Sequence, residues 1–134
     1  MVVDCGTCIK YELLTADGTY HGGNIAPGLR MRIRAMHEFT ARLPEVPTEM
    51  PTEVVGHSTE TALQNGALRG AALEIEGFAQ LFARRVGSLR TLLTGGDADF
   101  LMPYLDIPNL TTHTDLTLFG LNHILNAQQL TTDN

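Results

Sequence analysis

Apolar and polar residues alternate through Ile9-Lys10-Tyr11-Glu12, the period of a strand with one buried face, and Val2-Val3 opens a shorter extended run just before it. Gly6 separates the two runs, which predicts a hairpin. Ala16-Asp17-Gly18-Thr19 sets Asp-Gly between apolar stretches, where glycine supplies the positive φ of a tight turn, so a third strand is expected from Tyr20 to about Ile25. The chain thus opens as an antiparallel meander.

The period then lengthens to that of a helix. Leu29, Ile33, Met36, Thr40 and Leu43 fall on one face and Arg30, Arg34, His37, Glu38 and Ala41 on the other, with Pro27 acceptable in the first turn and Pro44 at the end. Pro44, Pro47 and Pro51 mark residues 44–56 as a connecting loop. Ser58 or Thr59 caps a long helix reaching about Val86, whose apolar side is Leu63, Ala67, Ala71, Ile75, Phe78, Phe82 and Val86. Gly66, Ala67, Gly70 and Ala71 leave its first half nearly bare, so another helix or a symmetry partner can approach closely there.

A short buried strand is expected over Arg90 to Leu93, followed by a Thr94-Gly95-Gly96-Asp97 turn into a helix reaching Tyr104. Ile107 to Leu110 reads as a last strand, and Thr114 or Asp115 caps a final helix in which Leu116, Phe119, His123 and Ala127 share a face. Only Leu130 to Asn134 is expected to be loosely ordered. The order of elements is that of an α/β domain: an antiparallel three-stranded start, then helices packed on a mixed sheet, as in ribonuclease H-like folds.

Composition narrows the function classes. A chain of 134 residues, 43% hydrophobic and 18% charged, is expected to form one domain over residues 1–134 with a continuous core. No apolar stretch approaches the ~20 residues needed to span a bilayer, and the start lacks the basic and apolar segments of a signal peptide, so a cytoplasmic protein with no membrane partner is expected. A formal charge of -6, with one lysine and eight arginines, argues against nucleic-acid binding.

Two motifs overlap in Val2 to Tyr11. Cys5-Gly-Thr-Cys8 is a C-x-x-C, which suggests a dithiol, but strand-like residues follow it where a redox pair needs a helix start, and zinc needs four ligands. Asp4-Cys5-Gly6-Thr7 is a D-x-G-T turn: glycine lets backbone N–H groups approach a phosphate, the Thr7 hydroxyl adds a donor, and Asp4 can hold a cation that balances phosphate charge. Thr94-Gly95-Gly96, between a strand and a helix, could likewise let a nucleotide lie against backbone. Thr59 could touch a substrate or merely cap a helix. Arg30, Arg32 and Arg34 read as a solvated face.

Taken together, Val3-Asp4-Cys5-Gly6-Thr7-Cys8, Gly22-Gly23-Asn24-Ile25-Ala26-Pro27-Gly28-Leu29, Ala41-Arg42-Leu43-Pro44, Gly56-His57-Ser58-Thr59 leading to Ala62 and Gly66, Leu93-Thr94-Gly95-Gly96, and Asp115 to Leu121 follow one order along nearly the whole chain. This order resembles the second half of the type III pantothenate kinases, in the superfamily of acetate kinase, sugar kinases, heat-shock chaperones and actin. The resemblance implies an actin-like ATPase domain and ATP-dependent phosphorylation of pantothenate, the first step of coenzyme A biosynthesis. It further implies a cytoplasmic homodimer using potassium or ammonium, with magnesium accompanying ATP.

By the same resemblance Asp4 holds the monovalent cation, Gly6 and Thr7 contact ATP phosphate, Gly95 and Gly96 lie beside the adenosine, and Thr59 lines the pantothenate pocket. The chain departs from the family at Cys8 and Lys10, where many members carry Ala and Thr. It also lacks the D-x-G-N-T and G-x-D-R motifs of the family's N-terminal domain, whose aspartate is the general base. No catalytic residue is therefore assigned, neither Asp97 nor Asp115 is promoted to that role, and the chain is expected to be inactive alone. The alternative is a non-catalytic relative acting as an accessory transcription factor through a protein partner.

Overall fold

The structure, a computed structural model, describes residues 1–132, with side chains through 129. Of the tail expected at 130–134, the backbone continues a helix to Thr132, and residues 133 and 134 lie outside the described residues.

Three antiparallel strands open the chain: β1 (Val2–Cys5), β2 (Cys8–Leu14) and β3 (Tyr20–Pro27). The predicted alternation holds in β2, where Ile9, Tyr11 and Leu13 are buried and Lys10 is exposed. β1 also pairs in parallel with β4 (Thr91–Thr94), which pairs in parallel with β5 (Leu110–Thr112), giving the order β3-β2-β1-β4-β5. This is the mixed α/β sheet expected of a ribonuclease H-like domain. Pro27 ends β3 rather than opening a helix; β3 is an edge strand, where a missing N–H is tolerated.

Helix α1 (Leu29–Glu38) stops short of the predicted Pro44. Thr40 donates its hydroxyl to Met36 O, a carbonyl that would continue the helix, at 2.7 Å, and His37 Nδ1 meets Leu43 O at 2.7 Å where the chain folds back. Leu43 reaches the edge of the core because the chain folds back, and Thr40 stays exposed.

Ser58 caps α2 (Thr59–Gln64) in a reciprocal capping box with Thr61. The predicted long helix is then interrupted by a π-helical turn, Asn65–Arg69, before α3 (Gly70–Val86). Gln64, Asn65 and Arg69 donate to the carbonyls of Pro47, Glu53 and Pro51 at 3.1, 2.9 and 2.7 Å. The proline-rich loop is thereby pinned to the helix. The close neighbour expected at the small residues of this segment is α1 of the same chain.

Ala67, Ala71 and Ile75 carry α3 onto the sheet, and Phe78 stacks on Tyr11 with ring centroids 4.4 Å apart. The buried Tyr11 donates to Glu74 Oε1 at 2.6 Å, and Arg32 Nη2 reaches the same oxygen at 2.8 Å. Arg32 therefore ties α1 to α3, contrary to the expected solvated face.

After β4 come α4 (Ala98–Leu101) and a single 3-10 turn. β5 begins three residues later than predicted, because Asn109 turns the chain with φ 57. Helix α5 (Leu116–Thr132) stands off the sheet. Its predicted face of Leu116, Phe119, His123 and Ala127 is not buried, and Leu118, Phe119, Leu121, Ile124 and Leu125 are each more than half exposed. These apolar residues surround the helix instead of forming one stripe.

Tyr11→Phe should lower unfolding stability by about 1.5–3 kcal/mol, the worth of a hydrogen bond to a charged acceptor. Urea unfolding measures this, and a loss under about 0.5 kcal/mol would show that the Tyr11–Glu74–Arg32 tie does not stabilise the fold.

Candidate functional site

The parallel strands β1 and β4 lie side by side, Asp4 opposite Thr94, and each runs into a glycine turn. Gly6 N donates to Cys8 O at 3.1 Å and closes the first turn, and Asp97 N donates to Cys5 O at 2.9 Å and draws the second onto it. Gly95 sits at φ +93, and a Cβ there would stand 2.5 Å from Cys5 O and 2.6 Å from Asp4 Oδ1. Only glycine permits that approach.

Gly28, just before α1, completes the junction. Its N–H donates to Thr7 O at 3.1 Å, and a Cβ on it would lie 2.3 Å from Gly6 O. Sequence reasoning did not select it as a site residue; its signal was the Pro27-Gly28 entry to the helix. The glycines divide by role: Gly28 and Gly95 allow backbones to meet, while a Cβ on Gly96 would meet nothing within 4 Å and one on Gly6 nothing nearer than 3.9 Å. Gly6 and Gly96 are where a ligand can approach the backbone. Helix α4 is a single turn, so the second glycine turn offers close backbone access in place of the helix-terminus field expected there.

Five of the six sequence-selected residues, Asp4, Gly6, Thr7, Gly95 and Gly96, thus meet at the carboxyl ends of β1 and β4, the usual ligand edge of parallel strands. A cavity of about 400 Å³ opens beside them, lined by Gly6, Thr7, Arg30, Arg34, Phe39 and Asp97 among others. Arg30 Nη1 lies 3.3 Å from Oδ1 of the buried Asp97, while the Arg30 side chain stays 77% exposed, as expected of a solvated face. Thr59, the sixth, is exposed at the head of α2 and lines neither this cavity nor a second one, of about 310 Å³, between His57 and the loop at Glu49–Glu53.

The charges of the first turn are arranged around Asp4. Lys10, opposite it on β2, places Nζ 3.0 Å from Oδ2, and the ammonium is held above its ordinary pKa chiefly by that hydrogen bond. Cys5 is buried, and burial, reinforced by the negative charges of Asp4 and Asp97, pushes its thiol up to about 12. Both cysteines are free thiols. The dithiol reading needs a depressed thiol, and Cys5 has the opposite. Among the described residues no group of three or more His, Cys, Asp or Glu side chains could hold a metal ion.

This mixed five-stranded sheet with its helices places the chain in the α/β class of ribonuclease H-like, actin-like folds. The family model described as type III pantothenate kinase matches residues 1–81, and the chain belongs to that family. Among its relatives, the type III pantothenate kinase of Bacteroides fragilis is 44% identical over 126 residues, covering 94% of this chain and 51% of the relative. That of Phocaeicola vulgatus is 41% identical over 125 residues, covering 93% and 51%. The chain therefore spans about half the length of the curated relatives it matches. A solved structure from Campylobacter jejuni, described as a conserved protein of the Baf transcriptional-activator family, shares the fold with a TM-score of 0.68 and 23% identity, over 96% of this chain and 57% of that one.

Gly95→Ala should cost about 2–4 kcal/mol, because it adds both a disfavoured φ and a backbone clash, whereas Gly96→Ala should stay within about 1 kcal/mol; equal losses in thermal unfolding would contradict the interlock. Cys5 generates a second expectation. Between its ordinary value of 9.0 and about 12, the unfolded chain has released the Cys5 proton and the folded chain keeps it. Stability should therefore fall as pH rises through that window, and urea unfolding should show a shallower fall in Cys5→Ala.

Proposed function

We propose that this chain is the C-terminal half of a kinase that transfers the γ-phosphoryl group of ATP to pantothenate, giving 4'-phosphopantothenate in the first step of coenzyme A biosynthesis. The observation that carries the reading is the interlock of the Asp4–Thr7 and Thr94–Asp97 turns at the carboxyl ends of two parallel strands, in a chain of this family. Gly6 and Thr7 offer backbone and hydroxyl donors to the phosphates, and Gly95 and Gly96 the backbone against which adenosine lies. Thr59 would line the pantothenate pocket only once other chain segments bring it towards the transferring group.

The chemistry asked of such a site is positioning and charge neutralisation, since phosphoryl transfer leaves little covalent work to the protein. Magnesium would travel on the ATP phosphates. Asp97 is engaged by Arg30 and does not serve as the base, which this reading assigns to the other half of the relatives' length. The exposed apolar helix α5 offers a docking surface for that half or for the second subunit of a homodimer. The proposed setting is the cytoplasm; among the described residues no helix is long and apolar enough to cross a membrane. The likeness to the Baf family protein, at 23% identity, is one of fold and does not favour a transcriptional role.

The 134-residue chain should form no phosphopantothenate from ATP and pantothenate, while a longer protein carrying the relatives' other half should do so. Thr7→Ala in that longer protein should lower kcat/KM by about tenfold or more, as loss of one preorganised phosphate donor does. Robust turnover by the short chain, read by coupled ADP release, would overturn the division of labour.

A further inference from the structure

Lys10 is the chain's one lysine, and the β1–β2 register sets it directly across from Asp4. Nζ lies 3.0 Å from Asp4 Oδ2, with the two side chains 47% and 31% exposed, so the ammonium is held beside Asp4 yet open to solvent. Glu12, the nearest other acid on β2, accepts from the Tyr20 hydroxyl. The second oxygen of Asp4 lies against the glycine junction, where a Cβ on Gly95 would come within 2.6 Å of it.

A phosphate chain lying against Gly6 and Thr7 would meet the negative charge of Asp4 at short range, since Asp4 Oδ1 lies 4.0 Å from where a Cβ on Gly6 would stand. Two anions so placed repel unless a cation lies between them. The family resemblance assigns that task to a dissociable potassium or ammonium ion on Asp4. The donors present do not fit it: Oδ2 already accepts from an ammonium group, and among the described residues no group of three or more His, Cys, Asp or Glu side chains could hold a metal ion. A lysine ammonium carries the same charge as an ammonium ion and presents the same N–H donors.

We infer that Lys10 is a tethered counter-cation of the phosphate site, standing beside Asp4 where a free monovalent cation would otherwise bind, and that it makes nucleotide binding by this protein independent of potassium or ammonium. This rests on the nucleotide reading above. An ordinary cross-strand ion pair would hold Asp4 equally well but would have no effect on a ligand's response to the salt cation.

The test is titration calorimetry of the chain with ATP, and with tripolyphosphate, in potassium, ammonium and tetramethylammonium chlorides at matched ionic strength. The unmodified chain should bind with the same affinity in all three. Lys10→Thr, which leaves room for an ion, should bind about tenfold more weakly in tetramethylammonium and recover in potassium or ammonium. Lys10→Met, which removes the charge but fills the space, should be weak in every salt. Melting curves of both variants check that the exposed substitution leaves the fold intact. An unmodified chain whose affinity rises several-fold with potassium, or variants that match it in tetramethylammonium, would overturn the inference and leave the nucleotide reading standing. Failure of the unmodified chain to bind ATP or tripolyphosphate in any salt would overturn both.

Discussion

The candidate site depends on the side-by-side parallel pairing of β1 and β4. That pairing brings Cys5 O within 2.9 Å of Asp97 N and sets Gly95, at φ +93, where no side chain fits. Buried backbone groups must find partners, and here the second glycine turn donates the Asp97 N–H to the Cys5 carbonyl that leads into the first. The strands are held in register by the core beneath them, with Val3, Cys5 and Leu93 inaccessible to solvent. Ligand-accessible backbone at Gly6 and Gly96 is thus a consequence of core packing.

The helices are fastened to this sheet by a few polar side chains in semi-buried positions. Glu74 accepts from both Tyr11 and Arg32, linking β2, α1 and α3 at one carboxylate. The π-helical turn redirects Asn65 and Arg69 onto the loop carbonyls of Glu53 and Pro51.

Two features point beyond the chain. Its curated relatives are about twice its length, and α5 leaves the sheet at the same edge as the glycine turns, with apolar residues on every side. Hydrophobic surface of that extent on a helix normally lies against another protein element. In the proposed kinase, the surface that completes the enzyme and the edge that binds nucleotide would therefore be neighbours.

Local chemistry made much of this legible in the residues alone. Strand alternation in β2, the Asp17-Gly18 turn, the Ser58 cap and the two glycine turns are short-range properties, and the structure bears them out. Other features depended on contacts that the period of an element does not reveal. The early end of α1 follows from His37 meeting Leu43, the π-turn from its loop partners, and the late start of β5 from the turn at Asn109. Arg32 looked like part of a solvated face because its partner, Glu74, lies 42 residues away; Arg30 and Arg34 are indeed exposed. At Asp4 the antiparallel register sets the Lys10 ammonium, six residues on, against the carboxylate of the D-x-G-T turn. Periodicity and turn residues encode where an element forms; which charges meet is set by register and packing, which no local window contains.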